Sequence, residues 1–336
     1  MNRGRYIIML LAAMVTLAAL LNLFFGSVSI PSAQVWHVLT GGEAEKSSWT
    51  YIILESRLPQ MLTAMVCGAS LATAGLLLQT AFRNPLAGPS ILGITNGAGF
   101  GVGVVMLVTG GVISIGGSTV AGYLAVVTGA FIGAMAVIVL LLAFASVVRN
   151  NMMLLIVGIM VGYLVSSLVM LLNFFATSDN IHSYVMWGMG SFSDVSPQTL
   201  PFFIIASSVG LLLALLLVKP LNALLLGDAY AENLGISIRR VRLLLLVSTG
   251  ILSAVSTAFC GPVAFLGLAV PHMARLATGT SNHQTLMPAT ILCGALTALA
   301  CNLICVIPQG SVIPLNAVTP LFGAPVIIYI MCRNRH

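Results

Sequence analysis

Residues 57–101 read RLPQMLTAMVCGASLATAGLLLQTAFRNPLAGPSILGITNGAGFG. No residue between Arg57 and Arg83 carries a charge. That run is long enough to cross a bilayer, which takes ~20 apolar residues at ~1.5 Å rise for a hydrocarbon core of ~30 Å. A polar break follows at Arg83-Asn84-Pro85, and then Gly93, Gly97 and Gly101 recur at a spacing of four. Small residues four apart let helix backbones approach closely in lipid. The stretch reads as a membrane helix, a turn at one surface, and a second helix that returns.

The rest of the chain repeats this design. Of its 336 residues, 59% are hydrophobic and 6% charged, against roughly 25% charged in a soluble domain. Charge-free runs locate the spans. Residues 6–25 make one, 57–83 a second, and 83–149 has room for two. One lies in 150–178 and another in 195–218. The interval 242–275 is tight for two, giving one full helix and one short one, and 276–332 holds the last two. The expectation is an all-α, polytopic membrane protein of about ten helices. With no composition break, residues 1–336 read as a single domain. The apolar run behind Arg3 and Arg5 is about 20 residues, longer than the roughly 7–15 of a secretory h-region, so an uncleaved first helix is expected.

Charge placement fixes the orientation. With both termini cytoplasmic, eleven of the 13 basic residues fall inside, and only Lys46 and Arg57 fall outside. This is the positive-inside bias of a membrane protein. Trp36, Trp49 and Trp187 all land near the outer surface, where indoles prefer to sit. The net charge of +6 is therefore an orientation signal. A nucleic-acid partner is excluded because no face carries a basic patch.

Several chemistries are disfavoured by what the spans lack. The acidic residues are Glu43, Glu45, Glu55, Asp179 and Asp194 outside and Asp228 and Glu232 inside, with none at mid-membrane. Ion-coupled carriers usually keep ionisable groups in the membrane core, although sodium is also held by carbonyls and hydroxyls. A membrane enzyme needs paired acids, paired histidines or a Ser/His pair facing each other, and none is visible. The six cysteines form no CxxC pair and the five histidines are scattered, so neither a metal nor a cofactor held by this chain is expected. A phosphate-cradling GxxxxGK[ST] loop needs Lys after Gly, whereas the only lysines follow Glu45 and Val218. If ATP drives this protein, another chain binds it.

Three hydrophilic stretches interrupt the spans. Residues 26–56 and 176–198 form outer loops, and the middle of the second is apolar enough for a short surface helix. Residues 219–242, KPLNALLLGDAYAENLGISIRRVR, form the sizeable inner loop. Its segment Gly227–Gly235 reads as a short helix ended by glycine, with a second helix restarting at Ile236. These elements make a compact cytoplasmic knob, and the same residues also fit a basic juxtamembrane loop against lipid.

In order and spacing, these motifs resemble the permease subunit of the ABC importers for iron–siderophore, haem and cobalamin, the FecCD-like type II importers. The resemblance runs from about residue 50 to the C-terminus. It is carried by Arg57-Leu58-Pro59, Gly68 to Gly75 with Gln79, Asn84-Pro85-Leu86-Ala87, Leu92-Gly93-Ile94 and Asn96-Gly97-Ala98. It continues through Gly227 to Gly235, Phe265 to Leu268, Pro271-His272 with Arg275, His283, Pro288 and Gly323-Ala324-Pro325. It implies a homodimer around a central path in a bacterial inner membrane. It further implies two separate ATPases, which bind ATP and Mg on the cytoplasmic face, and an outer binding protein that delivers a bulky chelate. Siderophore is the default cargo, with haem and cobalamin behind it.

The resemblance also implies roles for residues. Asp228, Glu232, Leu234, Gly235 and Arg239 match the loop that couples to the ATPase. Asn150, Asn151 and Met152 match the cytoplasmic gate, where ordinary helix-start chemistry explains the asparagines equally well. Arg57 matches an arginine that docks the binding protein. Gly68, Gly75, Gln79, Asn84, Pro85, Gly93 and Gly97 fall to helix packing and the pathway. The chain departs from the family at Gln60 and Val306, where further arginines are common, at Asn302 in place of an aspartate, and at Val312 in place of a glutamate.

Overall fold

The computed structural model describes residues 3–115, 118–148, 151–307 and 312–333. Ten apolar helices follow one another in the order that the charge pattern predicts. They are α1 (Arg3–Phe24), α4 (Leu58–Phe82), α5 (Ile94–Gly103), α6 (Tyr123–Val147), α7 (Asn151–Phe175), α9 (Leu200–Leu216), α12 (Ile238–Cys260), α13 (Leu266–Thr278), α14 (His283–Val306) and α15 (Leu315–Arg333). Shorter helices lie between them: α2 (Ser32–Leu39), α3 (Ser47–Tyr51), α8 (Ser178–Gly188), α10 (Val218–Leu225) and α11 (Asp228–Asn233).

The ten are not ten equal crossings. Among the described residues six helices are long and apolar enough to cross a bilayer singly, and one of them is the continuous run Ser47–Phe82. The α9 helix joins α10 through a bend of 47° to make a seventh. The α5 and α15 helices are shorter, and α13 has 13 residues, about 20 Å at 1.5 Å per residue. That length leaves α13 within the protein rather than across the lipid. The all-helical expectation needs one addition. Strands β1 (Val112–Ile115) and β2 (Ser118–Ala121) pair antiparallel between α5 and α6, with Val112 opposite Ala121. Their β-branched Val, Ile and Thr favour a strand, and the sequence sets Gly116-Gly117 between them, a hairpin signal.

The α4 helix is the central post. Of its most apolar stretch 83% is buried, against 28% for α7, and it packs on α9, α12, α13 and α14. A helix enclosed on every side needs no amphipathic stripe, which is why its sequence shows none. The glycines set how near the neighbours come. A β-carbon on Gly68 would collide with the Gly294 carbonyl of α14, and one on Gly75 with the Gly267 carbonyl of α13. Gly97 and Gly101 likewise meet Gly133 and Gly129 of α6. Gly93, at φ +76°, lies against the backbone of Gly162 in α7.

Candidate functional site

The inner loop folds as a knob built on glycine geometry. After α10, Gly227 takes φ +115° and opens the six-residue α11. At the far end Gly235 takes φ +79°, its N–H donates to Glu232 O at 2.8 Å, and the Ile236 N–H donates to Ala231 O at 3.0 Å. This pair of bonds is a Schellman ending, which a left-handed glycine makes possible. Ala231 is fully buried and anchors the knob, whereas Glu232, Leu234, Gly235 and Arg239 are exposed. Leu234 is 59% and Tyr230 49% exposed, an apolar tip on a polar face. The second short helix expected from Ile236 is the first turn of α12, which runs unbroken to Cys260.

Side chains tie this knob to the bundle. Asp228, the first residue of α11, pairs with Arg83 at 2.6 Å, and Arg83 also donates to Leu224 O at 3.3 Å. Arg83 takes φ +46° at the end of α4. On α10, Asn222 Oδ1 accepts from His283 Nδ1 at 3.0 Å and from its backbone N–H at 2.8 Å. An amide oxygen only accepts, so Nδ1 carries the proton, and the neutral ring accepts at Nε2 from the Thr80 hydroxyl at 3.0 Å. Asn222 Nδ2 donates in turn to Asn282, which caps α14. Gln79 donates to Leu268 O at 3.0 Å and accepts from Arg275 Nη1 at 2.6 Å. His272 Nε2–H donates to Pro85 O at 2.8 Å, and Asn84 Oδ1 accepts from the Leu86 N–H at 2.9 Å.

The predicted residues therefore divide. Asp228, Glu232, Leu234, Gly235 and Arg239 share one knob, Gln79 and Pro85 join the end of α4 and the turn after it to α13, and Asn84 bonds within that turn. Gly68, Gly75, Gly93 and Gly97 are packing contacts. Of the gate residues, Asn150 lies outside the described residues, Asn151 begins α7, and Met152 is 58% exposed. Nearby, Arg242 Nη1 donates to Val148 O at 3.2 Å, linking α12 to the chain just before α7. Thr80, Asn222 and Asn282 escaped the sequence reading. They are neutral residues of common type, separated by up to 203 positions from their partners, and no local pattern marks them.

Arg57 requires a correction. Its side chain is buried, 6% exposed. It donates to Leu23 O at 2.8 Å, to Phe24 O at 3.1 Å, and to Val28 O. A guanidinium spent on three carbonyls caps the end of α1, a favourable place for a cation, and is not presented to a docking partner. The two departures at Gln60 and Asn302 prove to be one feature. Gln60 Nε2 donates to Asn302 Oδ1 at 2.9 Å, and Asn302 Nδ2 donates to Asn22 Oδ1 at 2.8 Å. An uncharged amide chain occupies the place of the expected arginine and aspartate.

Gln60 and Asn302 also line an outer vestibule of about 580 Å³, whose lining includes Tyr123, Trp187, Phe259 and the exposed Asp194. Desolvation by the surrounding protein raises the Asp194 carboxyl above its ordinary value, and a hydrogen bond from Ser191 opposes that shift. Next to lining residues Met189, Gly190 and Leu315, Asn316 of α15 ties three chain segments together. It donates to Gly188 O at 3.0 Å and to Pro262 O, and accepts from the Ala264 N–H at 3.0 Å.

A model of the FecCD transport family matches residues 13–333. The chain belongs to the FecCD transport family. Membership makes it a permease, a transporter component and not an enzyme, and a multi-pass membrane protein. It is 35% identical over 309 residues to the vitamin B12 import system permease protein BtuC of Klebsiella pneumoniae, covering 92% of this chain and 90% of that one. The same-named permease of Serratia proteamaculans is 34% identical over 312 residues, with 92% and 89% covered. An inward-facing structure of a metal-chelate type ABC transporter superposes with a TM-score of 0.85 at 28% identity, covering 98% and 99% of the two chains. PsaBC from Streptococcus pneumoniae, at 14% identity and a TM-score of 0.54, shares the fold over 81% of this chain and 90% of its own.

Proposed function

We propose that this FecCD permease pairs with a second copy of itself in a bacterial inner membrane and imports a bulky metal chelate at the expense of ATP. Two ABC ATPases dock on the cytoplasmic face and hold the ATP and Mg, and an outer binding protein delivers the cargo. The observation that carries the reading is the knob: an exposed apolar tip at Leu234, terminated by Gly235 and braced on α4 through Asp228 and Arg83. ATP-driven closure of the ATPases would press this tip. The load passes from α11 to α4 through Asp228–Arg83, and from α10 to α14 and α4 through Asn222, His283 and Thr80. Tilting of these helices as bodies is the kind of two-state change that alternates access.

The cargo is an iron–siderophore complex, or cobalamin as the names of the relatives favour, with haem a further member of the same class. Reconstitution tests the reading. Proteoliposomes with the cognate ATPase and binding protein should take up cyanocobalamin or a ferric trihydroxamate only with ATP, and ionophores should not stop uptake. Leu234→Asp should abolish uptake while the permease still inserts and pairs. ATP-independent uptake that collapses with the ion gradient would overturn the proposal.

A further inference from the structure

The outer vestibule carries a charge pattern that bears on the cargo. Among the described residues Asp194 is the one ionic group in its lining and no lysine, arginine or histidine faces it; the polar remainder includes the amides of Gln60, Asn302 and Asn180 and the hydroxyls of Ser183, Ser191 and Ser193. Elsewhere on the outer side the cations are committed. Arg57 is buried on three carbonyls, and the Lys46 ammonium lies over the Trp49 ring at 4.9 Å. Glu43, Glu45, Glu55 and Asp179 are exposed.

Pores that pass anions are lined with Arg or Lys, and rings of acids serve cations. A cavity of this volume is in the range that encloses a small ligand or one face of a larger one, roughly 300–1,000 Å³. We propose that the vestibule is a cargo subsite that accepts the uncharged or cationic face of a metal chelate and rejects polyanionic chelates, with Asp194 setting the preference. The proposal rests on the permease reading and deepens it. Aromatic walls at Trp187, Tyr123 and Phe259 cover the apolar part of the chelate, and the amides meet its carbonyl or hydroxamate oxygens. An exposed carboxylate in the lining attracts a pendant ammonium and repels a tricatecholate, whose complex with ferric ion is a trianion.

The test is equilibrium dialysis of the purified full-length chain in nanodiscs against three radio-iron probes. These are a ferric trihydroxamate with one free ammonium, an uncharged ferric trihydroxamate and a ferric tricatecholate. The native chain should bind the tricatecholate weaker by roughly tenfold or more than the uncharged complex, the factor that one charge contact near a protein surface supplies. Asp194→Asn should erase the advantage of the ammonium complex, and Asp194→Lys should reverse the order of ammonium complex and tricatecholate. Equal binding of tricatecholate and uncharged complex by the native chain, or an unchanged order in Asp194→Lys, overturns the proposal. Failure of all three probes to bind overturns the subsite alone, because ATP-dependent uptake in proteoliposomes judges the permease reading separately.

Discussion

His283 stands where α10, α14 and α4 meet, with one ring nitrogen on Asn222 and the other on Thr80. The Thr80 bond is buried and the Asn222 bond partly so, and an imidazole accepting at one nitrogen while donating at the other is the side chain that bridges an amide oxygen to a hydroxyl. Truncation leaves the Thr80 hydroxyl without its partner, a loss of about 1–3 kcal/mol, while Asn222 Oδ1 keeps the bond from the His283 backbone N–H. The expected outcome for His283→Ala is a lower melting temperature together with a lower ratio of cargo moved to ATP hydrolysed. Thr80→Val removes the hydroxyl with little change in volume. It should lower the transport ratio with a smaller stability loss; unchanged stoichiometry in both variants would reduce this residue to packing. None of this was legible in the sequence. His283 appeared there as a motif residue without a partner, and Arg57, correctly placed near the outer surface, gave no sign that the end of α1 would fold over its guanidinium.

Among the glycine contacts between elements, that of α4 with α13 at Gly75 is the tightest. The backbone of Gly75 leaves no room for a β-carbon because the Gly267 carbonyl occupies its place, and the Gln79 pair with Leu268 and Arg275 sits one turn further on. Backbone cannot yield as a side chain can, so Gly75→Ala should cost about 1–3 kcal/mol, the range for overpacking a filled core. Thermal unfolding of the purified variant measures the loss, and a melting temperature equal to that of the native chain would contradict the geometry. Gly235→Ala differs in kind. Nothing lies within 4 Å of its β-position, and the cost of about 1–2 kcal/mol comes from the left-handed backbone alone.

The elements themselves were readable because each apolar run is bounded by a charge, a glycine or a proline. Arg83-Asn84-Pro85 ends α4, Gly227 and Gly235 bracket α11, and the run between Arg242 and Arg275 splits into a long and a short helix as its length requires. The paired strands β1 and β2 were missed because their eight residues sit within an apolar interval long enough to be taken as helix and loop. The partners of the seams, Gly267 and Gly294 above all, were missed because glycine spacing says that a helix packs closely without saying against which neighbour.

For the whole molecule, the proposed coupling requires that a push on α11 reach the outer vestibule. The two are joined by α4, which carries Arg83 at its cytoplasmic end and Gln60 near its outer end, and by α14, which runs from His283 to Asn302. Under the proposed coupling, a central post buried over most of its length would move as a unit, which makes the ion pair at its foot the point to test. That pair is half exposed, 55% for Arg83 and 45% for Asp228, and pairs of this kind contribute at most about 1 kcal/mol to stability. Its loss should therefore leave folding intact and show in coupling. Asp228→Arg is expected to shift the melting temperature little while uptake falls and ATP hydrolysis continues. Combining Arg83→Asp with Asp228→Arg restores opposite charges in reversed order, and uptake should recover in part, the signature of a direct interaction in a double-mutant cycle. If the double variant transports no better than Asp228→Arg alone, the force reaches α4 by another route, and the bridge through Asn222, His283 and Thr80 is the one that remains.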